Sequence, residues 1–161
     1  MDVRLAGPAD AEPIRRIYNH EVTTSTVTFD LVPRSSEAQV TWIEAHAGAH
    51  PAIVAVEAGV VVGFGSLSAY RDRPGYATTV EDSVYVDGDH RGRGAGRLIL
   101  DELLRLARVH GFHAVMARIV DSHAASIALH HSCGFALVGV EREVGRKFGR
   151  WLSVAVMQHM L

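Results

Sequence analysis

The chain has 161 residues, of which 48% are hydrophobic and 21% are charged, and its formal net charge is -2 at pH 7. This composition is typical of one soluble globular domain with a single core, and it argues against a protein that binds nucleic acid or a membrane surface. No apolar run approaches the roughly 20 residues that span a bilayer, no signal peptide is expected, and the single cysteine suits a reducing cytoplasm.

Hydrophobic periodicity and turn residues predict the following elements in chain order. The first half is expected to contain a strand over 1–5, a helix capped by Asp10 that carries Val22, a loop over 23–33, a helix capped by Ser36 that extends to about Ala47, strands over 52–57 and 60–69, and a loop over 70–76. The second half is expected to contain a strand over 79–86, a glycine-rich loop, a helix over about 94–110, a strand over 114–120, a short helix over 124–132, and strands over about 136–145 and 151–160. This order predicts one domain, residues 1–161, with a mixed sheet and helices on both of its faces.

The glycine-rich loop His90–Arg97 lies between a predicted strand and a predicted helix. Its glycines let backbone amides approach a ligand closely, and the helix directs the positive end of its dipole at the same place. Such a loop favours phosphate binding, and Arg91, Arg93 and Arg97 add positive charge.

Three phosphate-binding motifs compete for this loop. A P-loop requires a Gly-Lys-Ser/Thr ending, which the loop lacks. A dinucleotide fingerprint requires Gly-x-Gly-x-x-Gly, whereas the glycines here are spaced by two; Asp121, after the next strand, keeps this alternative open. The third motif, Arg/Gln-x-x-Gly-x-Gly/Ala, is matched by Arg91, Gly94 and Gly96.

At this motif the chain resembles the GCN5-related N-acetyltransferase (GNAT) family. The resemblance covers nearly the whole chain and includes residues 121–135, which are similar to the second cofactor-binding helix of that family. Ile17–His20, Thr78–Val86 and Gly145–Trp151 are similar to the acetyltransferases of phosphinothricin and of methionine sulfoximine or sulfone. The resemblance implies the GNAT fold, of α/β (α+β) class, with a mixed sheet of about seven strands flanked by about four helices.

The resemblance also implies that acetyl-CoA is the cosubstrate. The strand residues Val84, Tyr85 and Val86 would bind its pantetheine arm through their main chain. The residues expected to hold the pyrophosphate are Arg91, Gly92, Arg93, Gly94, Ala95, Gly96 and Arg97. In the short helix, His123, Ser126 and Ser132 would contact the cofactor. The alternatives are an exposed glycine turn with solvated arginines, and serines that lie on a helix surface.

Acetyl transfer to an amine needs a base, and the resemblance implies that Glu81 has this role. A solvent-exposed or ion-paired carboxylate is the alternative. Strand alternation directs Asp82 to the other face of the sheet, which makes it the weaker candidate. Many family members have asparagine and tyrosine where this chain has His123 and His130. His130 is a candidate proton donor to the leaving thiolate, with water or a purely packing histidine as alternatives.

A guanidinium suits the carboxylate of an amino acid, so Arg71 and Arg73 are expected to bind the acceptor, with a solvated basic loop as the alternative. Phe29 is expected to line the acceptor pocket. Other candidates for that pocket are Tyr18, Asn19 and Asp30. The final hairpin residues Lys147, Phe148 and Trp151 are expected to complete either the pocket or a dimer interface.

Other chemistries find little support in the sequence. The pairs His46/His50 and His110/His113 lack a third ligand in a recognisable pattern, so no metal is expected. Cys133 is expected to be a small core residue, and no Gly-x-Ser-x-Gly elbow occurs.

The sequence therefore predicts an acetyl-CoA-dependent N-acetyltransferase. Its expected acceptor is the α-amino group of a small amino-acid-like molecule, acetylated by direct transfer. The subgroup implies a homodimer, and the single cysteine favours the cytoplasm. Two alternatives remain: a GNAT enzyme for another amine, such as a peptide N-terminus or a polyamine, and a non-catalytic acyl-CoA-binding module.

Overall fold

One mixed sheet of seven strands, in the order β1-β2-β3-β4-β5-β7-β6, forms the centre of the protein. The computed structural model describes residues 1–161. Its strands are β1 (Asp2–Leu5), β2 (Ala52–Glu57), β3 (Val60–Ala69), β4 (Thr79–Val86), β5 (Ala114–Val120), β6 (Ala136–Lys147) and β7 (Arg150–Met160). Its α-helices are α1 (Ala11–Thr24), α2 (Ser36–Ala45), α3 (Ala95–Val109) and α4 (Ala124–Ser132). The predicted mixed class is confirmed, and none of the helices is both long and apolar enough to cross a membrane.

The two faces of the sheet are covered by different helices, as the sequence predicts. α1 and α2 pack on one face around Phe64, whereas α3 packs on the other face around Leu67 and Val80. Because side chains alternate along a strand, Glu81 lies on the α1 face together with Tyr85, and Asp82 lies on the face that α3 and α4 cover. The two adjacent carboxylates, Glu81 and Asp82, therefore lie on opposite faces of the sheet.

Two predicted helix caps are wrong by their hydrogen bonds. The carboxylate of Asp10 accepts from the backbone N–H of Gly7 at 2.8 Å and makes no cap bond to α1. Ser35, not Ser36, caps α2, because its Oγ accepts the N–H of Ala38 at 3.1 Å. Asp10 occupies the N-cap position of α1, but its carboxylate is engaged by Arg4 and Gly7 instead. At α2 two serines are adjacent, and only the backbone geometry decides which of them caps the helix.

The final hairpin is longer than the sequence predicts. Phe148 and Gly149 both adopt positive φ angles, 49° and 70°, which is typical of a two-residue hairpin turn. The strands therefore continue to Lys147 on one side and to Arg150 on the other. Periodicity places Leu98 on the same face of α3 as Ile99 and Leu103, but Leu98 is 42% exposed in the structure.

β4 and β5 separate part-way along their length. They pair in parallel only at Thr79, Val80 and Glu81, although β4 continues to Val86 and β5 to Val120. Every other neighbouring pair in the sheet is antiparallel. Residues 82–86 thus pair with β3 on one side and present an unpaired backbone edge on the other. This opening in the middle of the sheet positions the site.

Candidate active site

The opening between β4 and β5 leads into a cavity of about 560 Å³. Its walls come from both strands, the glycine loop, α4 and the loop that follows α1. The sequence-predicted residues that line it are Phe29, Glu81, Val84, Tyr85, Val86, Arg91, Gly92, Gly94, Ala95, Gly96, Arg97, His123, Ser126 and His130. Those that do not line it are Arg71, Arg73, Arg93 and Ser132. The fold thus brings together side chains from five separate segments of the chain.

The glycine loop presents unused backbone donors to this cavity. Gly92 and Gly94 have φ angles of 74° and 90°, a left-handed conformation that favours glycine. No N–H of residues 92–97 donates to another protein group, and the first backbone bond of α3 is that of Leu98 to the carbonyl of Gly94, at 3.1 Å. Six free donors at the positive end of a helix form a site suited to a diphosphate.

Arg91 contacts a carboxylate that the sequence analysis missed. Its guanidinium forms an ion pair with Glu21 of α1, whose side chain is only 5% exposed and also accepts from the Oγ of Ser25 at 2.6 Å. Glu21 falls on the apolar stripe of α1 with Tyr18 and Val22. A charged residue at a core-facing position of α1 is therefore the sequence signal that could have identified Glu21.

Glu81 is half-buried in the cavity wall at the last position where β4 pairs with β5. Burial raises the pKa of this carboxyl above its ordinary value, the positive charge of Arg118 opposes that rise, and Asp82 adds to it. Arg118 of β5 also lines the cavity and forms an ion pair with Glu141 of β6. It is the one charged residue in the apolar run 114–120, a signal that the sequence analysis overlooked.

The α4 side of the cavity is formed by histidines. Burial lowers the pKa of His123, and the charge of Arg91 lowers it further. His130 is buried and binds Asp82, with 3.0 Å between Nε2 and Oδ2. Ser132, by contrast, turns its Oγ back to the carbonyl of Leu129 at 2.7 Å and is exposed.

The acceptor side is shaped by the loop after α1. Phe29 lies directly against Gly145 of β6, where a Cβ atom would collide with its ring. The hydroxyl of Tyr18 binds Thr28 at 2.9 Å, and the buried Nζ of Lys147 donates to the carbonyl of Thr28 at 2.8 Å. Tyr18 and Lys147 thus hold this loop in place rather than line the cavity.

The remaining predicted acceptor residues lie elsewhere. Asn19 donates to the carbonyl of Arg34 at 2.9 Å, and Asp30 accepts from the hydroxyl of Tyr18. Phe148 and Trp151 are exposed on the final hairpin.

Arg71 and Arg73, in the loop that precedes β4, are both exposed but differ in their surroundings. The guanidinium of Arg71 lies 5.0 Å from the ring centre of Tyr70. Its charge also lowers the pKa of Glu81, although less than that of Arg118 does. Arg73 precedes a short 3-10 helix and makes no side-chain hydrogen bond.

Comparison with known proteins identifies the family. The acetyltransferase (GNAT) domain family matches residues 3–156. The chain belongs to the GNAT acetyltransferase family. It is 40% identical to the L-methionine sulfoximine/L-methionine sulfone acetyltransferase of Salmonella typhimurium, over 100% of this chain and 95% of that one.

Two solved structures share the fold of this GNAT chain along its whole length. The phosphinothricin acetyltransferase of Sinorhizobium meliloti in complex with AcCoA has a TM-score of 0.96 and 36% identity, and the match covers 99% of this chain and 88% of that one. The ribosomal-protein-alanine N-acetyltransferase of Brucella melitensis has a TM-score of 0.98 and 38% identity, with 100% of each chain covered.

The residues of this GNAT domain fit acetyl-CoA. The free amides of residues 92–97 would hold the diphosphate, and the unpaired edge of residues 82–86 would bind the pantetheine amides, because an open strand edge presents both donors and acceptors. When bound, acetyl-CoA supplies the thioester whose acetyl group is transferred.

Proposed function

We propose that this protein transfers the acetyl group of acetyl-CoA directly to the α-amine of a small amino-acid-like acceptor, of the methionine sulfoximine, methionine sulfone or phosphinothricin type. The observation that carries the proposal is the position of Glu81. This half-buried carboxylate lies where β4 parts from β5, on the same wall as the unpaired strand edge and the free loop amides.

Glu81 would act as the base. An ammonium is a poor nucleophile, and a carboxylate whose pKa is raised by burial is better matched to removing its proton at neutral pH than an ordinary one. The backbone donors of residues 84–86 that point away from β3 would at the same time orient the thioester carbonyl.

The acceptor would enter on the α1 face, where Glu81 points. Arg118 lines the cavity there, and Arg71 is close enough to act on Glu81 through its charge. We propose that these two guanidiniums attract the carboxylate of the acceptor and that Phe29 packs against its side chain. Arg73 remains a weaker candidate for the same role, since it is exposed and has no side-chain contact in the site.

A second candidate acceptor is a peptide N-terminus, which the likeness to the Brucella melitensis structure favours. The two acceptors differ in the group next to the amine. An amino acid presents a carboxylate to Arg118, whereas a peptide presents a neutral amide and does not need the guanidinium.

A panel of amines tests the proposal. Thiol release from acetyl-CoA would be measured with methionine sulfoximine, methionine sulfone, phosphinothricin, the amide of methionine sulfone, an alanine-initiated peptide and a polyamine. We expect turnover with the first three and little with their amide counterpart. Turnover on the peptide or the polyamine alone would overturn the choice of acceptor, and no heat of binding with acetyl-CoA would overturn the whole proposal.

We further propose a homodimer that forms through the final hairpin. β6 is an edge strand of the sheet and carries exposed apolar side chains, which an isolated edge strand generally avoids. These side chains are Leu137, Val138, Val140 and Val144. Sedimentation should show a dimer that Val140→Glu dissociates, and a monomeric wild-type protein would exclude it.

We also propose that the protein acts in the cytoplasm, where a lone buried thiol such as that of Cys133 stays reduced.

A further inference from the structure

Asp82 and His130 form a buried pair on the face of the sheet opposite to Glu81. Nε2 of His130 lies 3.0 Å from Oδ2 of Asp82, and the two side chains are only 4% and 1% exposed. Nδ1 of the same ring lies 2.8 Å from the backbone carbonyl oxygen of Ser126. Phe135 packs edge-on against the imidazole with 5.0 Å between ring centres. The ring is therefore held in one orientation.

The partners of the two ring nitrogens determine how many protons the pair holds. A carbonyl oxygen can only accept, so Nδ1 must carry a hydrogen. A neutral imidazole with that hydrogen would turn the lone pair of Nε2 toward the carboxylate of Asp82, and two acceptors would face each other at 3.0 Å. The contact is satisfied only when a further proton lies between Nε2 and Oδ2, on one atom or the other.

We infer that Asp82 is a positioning residue that keeps this additional proton on His130 at neutral pH, so that His130 serves as an acid and not as the base for the acceptor amine. Only the catalytic part of this inference rests on the proposed function. Both residues line the cavity, and Oδ1 of Asp82 is buried without any hydrogen-bond partner, so the carboxylate is committed to the histidine alone.

The charges around the ring agree with this geometry. Burial by itself lowers the pKa of His130, but the hydrogen bond and the charge of Asp82 outweigh burial and raise that pKa above its ordinary value. On its own helix the ring also faces His123, whose pKa the charge of His130 lowers. Glu81 of β4 points to the other face, and on the far side of Phe135 lies the ring of His159 of β7, tilted against Phe135 with 5.4 Å between ring centres.

The proposed base, Glu81, and the proposed acid, His130, therefore lie on opposite faces of the sheet. Glu81 takes one proton from the acceptor ammonium on the α1 face, and the free amine then forms a bond to the acetyl carbon. Glu81 takes a second proton from the same nitrogen as the carbon–sulfur bond breaks, and it passes both protons in turn to solvent. The Asp82–His130 pair gives its shared proton to the departing thiolate, whose sulfur keeps the electron pair of the broken bond to the acetyl carbon. A neutral imidazole beside a carboxylate then remains and takes up one proton from water.

NMR of the histidine ring nitrogens tests the inference on the resting protein, with no substrate added. We expect both nitrogens of His130 to be protonated at pH 7, where most ordinary histidines have lost one proton. In Asp82→Asn the ring should become neutral at that pH, because burial then outweighs the remaining hydrogen bond to the carbonyl of Ser126. Glu102→Gln, which removes a surface carboxylate paired with Arg105 on α3, should leave His130 unchanged. A neutral His130 in the wild-type protein at pH 7 would overturn the inference.

The pH dependence of kcat tests the catalytic part. The loss of activity at high pH should move to lower pH by about one pH unit or more in Asp82→Asn and stay in place in Glu102→Gln. An unchanged profile in Asp82→Asn would reduce Asp82 to a structural role and contradict the inference. If no amine is acetylated at all, the proposed function fails, while the NMR result still decides the protonation of His130. The wild-type spectrum also decides it if Asp82→Asn does not fold.

Discussion

The carboxylate of Glu21 and the guanidinium of Arg91, 70 positions apart in the chain, form an ion pair in the lining of the cavity between β4 and β5. Glu21 is buried, whereas about half of the Arg91 side chain is exposed beside the glycine loop. The arginine thus has two tasks. It neutralises a buried carboxylate from α1, and it adds positive charge where the diphosphate is expected.

Arg91→Ala should therefore weaken both folding and cofactor binding. Without its partner the buried Glu21 carboxylate loses a charged hydrogen bond, so we expect the free energy of unfolding to fall by about 1–3 kcal/mol. The dissociation constant of coenzyme A should rise as well. Urea unfolding and calorimetry measure the two effects. Arg93→Ala is the matched control, since Arg93 lies 3.7 Å from the half-exposed Glu57 and outside the cavity. Equal losses in both variants would contradict a special role for Arg91.

Glu81→Gln should slow turnover on the order of tens-fold or more while leaving the binding of coenzyme A intact. Because burial raises the pKa of Glu81, the ionised base is lost as the pH falls through that raised value. Wild-type kcat/KM should therefore decline on the acid side, and this decline should be absent from the residual activity of the variant. Glu44→Gln, an exposed carboxylate on α2, should behave like the wild type. Full activity of Glu81→Gln across the pH range would exclude Glu81 as the base.

The three candidate arginines should differ in their effect on the acceptor. Arg118→Gln removes the guanidinium inside the cavity, Arg71→Gln removes a nearby exposed charge, and Arg73→Gln removes a side chain that contacts nothing in the site. We expect the KM for methionine sulfone to rise most in Arg118→Gln, by about tenfold, less in Arg71→Gln and least in Arg73→Gln. The reverse order would move the carboxylate site to the loop that precedes β4.

Arg118→Gln should also shift the pH profile. The charge of Arg118 lowers the pKa of Glu81, so its removal raises that pKa. The substitution also leaves Glu141 without its ion-pair partner, and the negative charge of Glu141 raises the pKa of Glu81 further. The acid-side decline of kcat/KM should therefore move to higher pH. A profile unchanged from the wild type would show that Arg118 and Glu81 do not interact.

Gly145→Ala should impair the acceptor site without affecting the cofactor site. A Cβ at Gly145 would collide with the ring of Phe29 and displace it from the cavity wall. Because small displacements in a reacting geometry are costly, kcat/KM for the acceptor should fall by about tenfold or more. Gly139→Ala on the same strand adds a Cβ into open space, so it should change neither kcat/KM for the acceptor nor the binding of coenzyme A. A normal acceptor KM in Gly145→Ala would exclude Phe29 from substrate contact.

The elements that the sequence predicts well are those whose signals are local. The bounds of β2, β3, β4, β5 and α4 agree with the alternation, turn residues and glycine stops that predict them. Asp10 occupies its predicted N-cap position but makes no cap bond, because its carboxylate binds Arg4 and Gly7, which no local pattern reveals. The cap at Ser36 was wrong, because the choice between two adjacent serines depends on backbone geometry that the sequence pattern does not contain. Local patterns thus determine which elements form, and less reliably where they begin.

The site divides in the same way. The sequence determined the glycine loop, the strand that carries Glu81 and the opposite orientation of Asp82, because spacing and alternation act between neighbours in the chain. Only the tertiary structure joined Glu21 to Arg91, Arg118 to Glu141 and Asp82 to His130. Each of these pairs spans distant segments, and their contacts depend on how the helices pack on the sheet and on where β4 and β5 part. The packing of elements that are distant in the chain, which no local pattern contains, therefore determined which charged side chains are paired in this cleft.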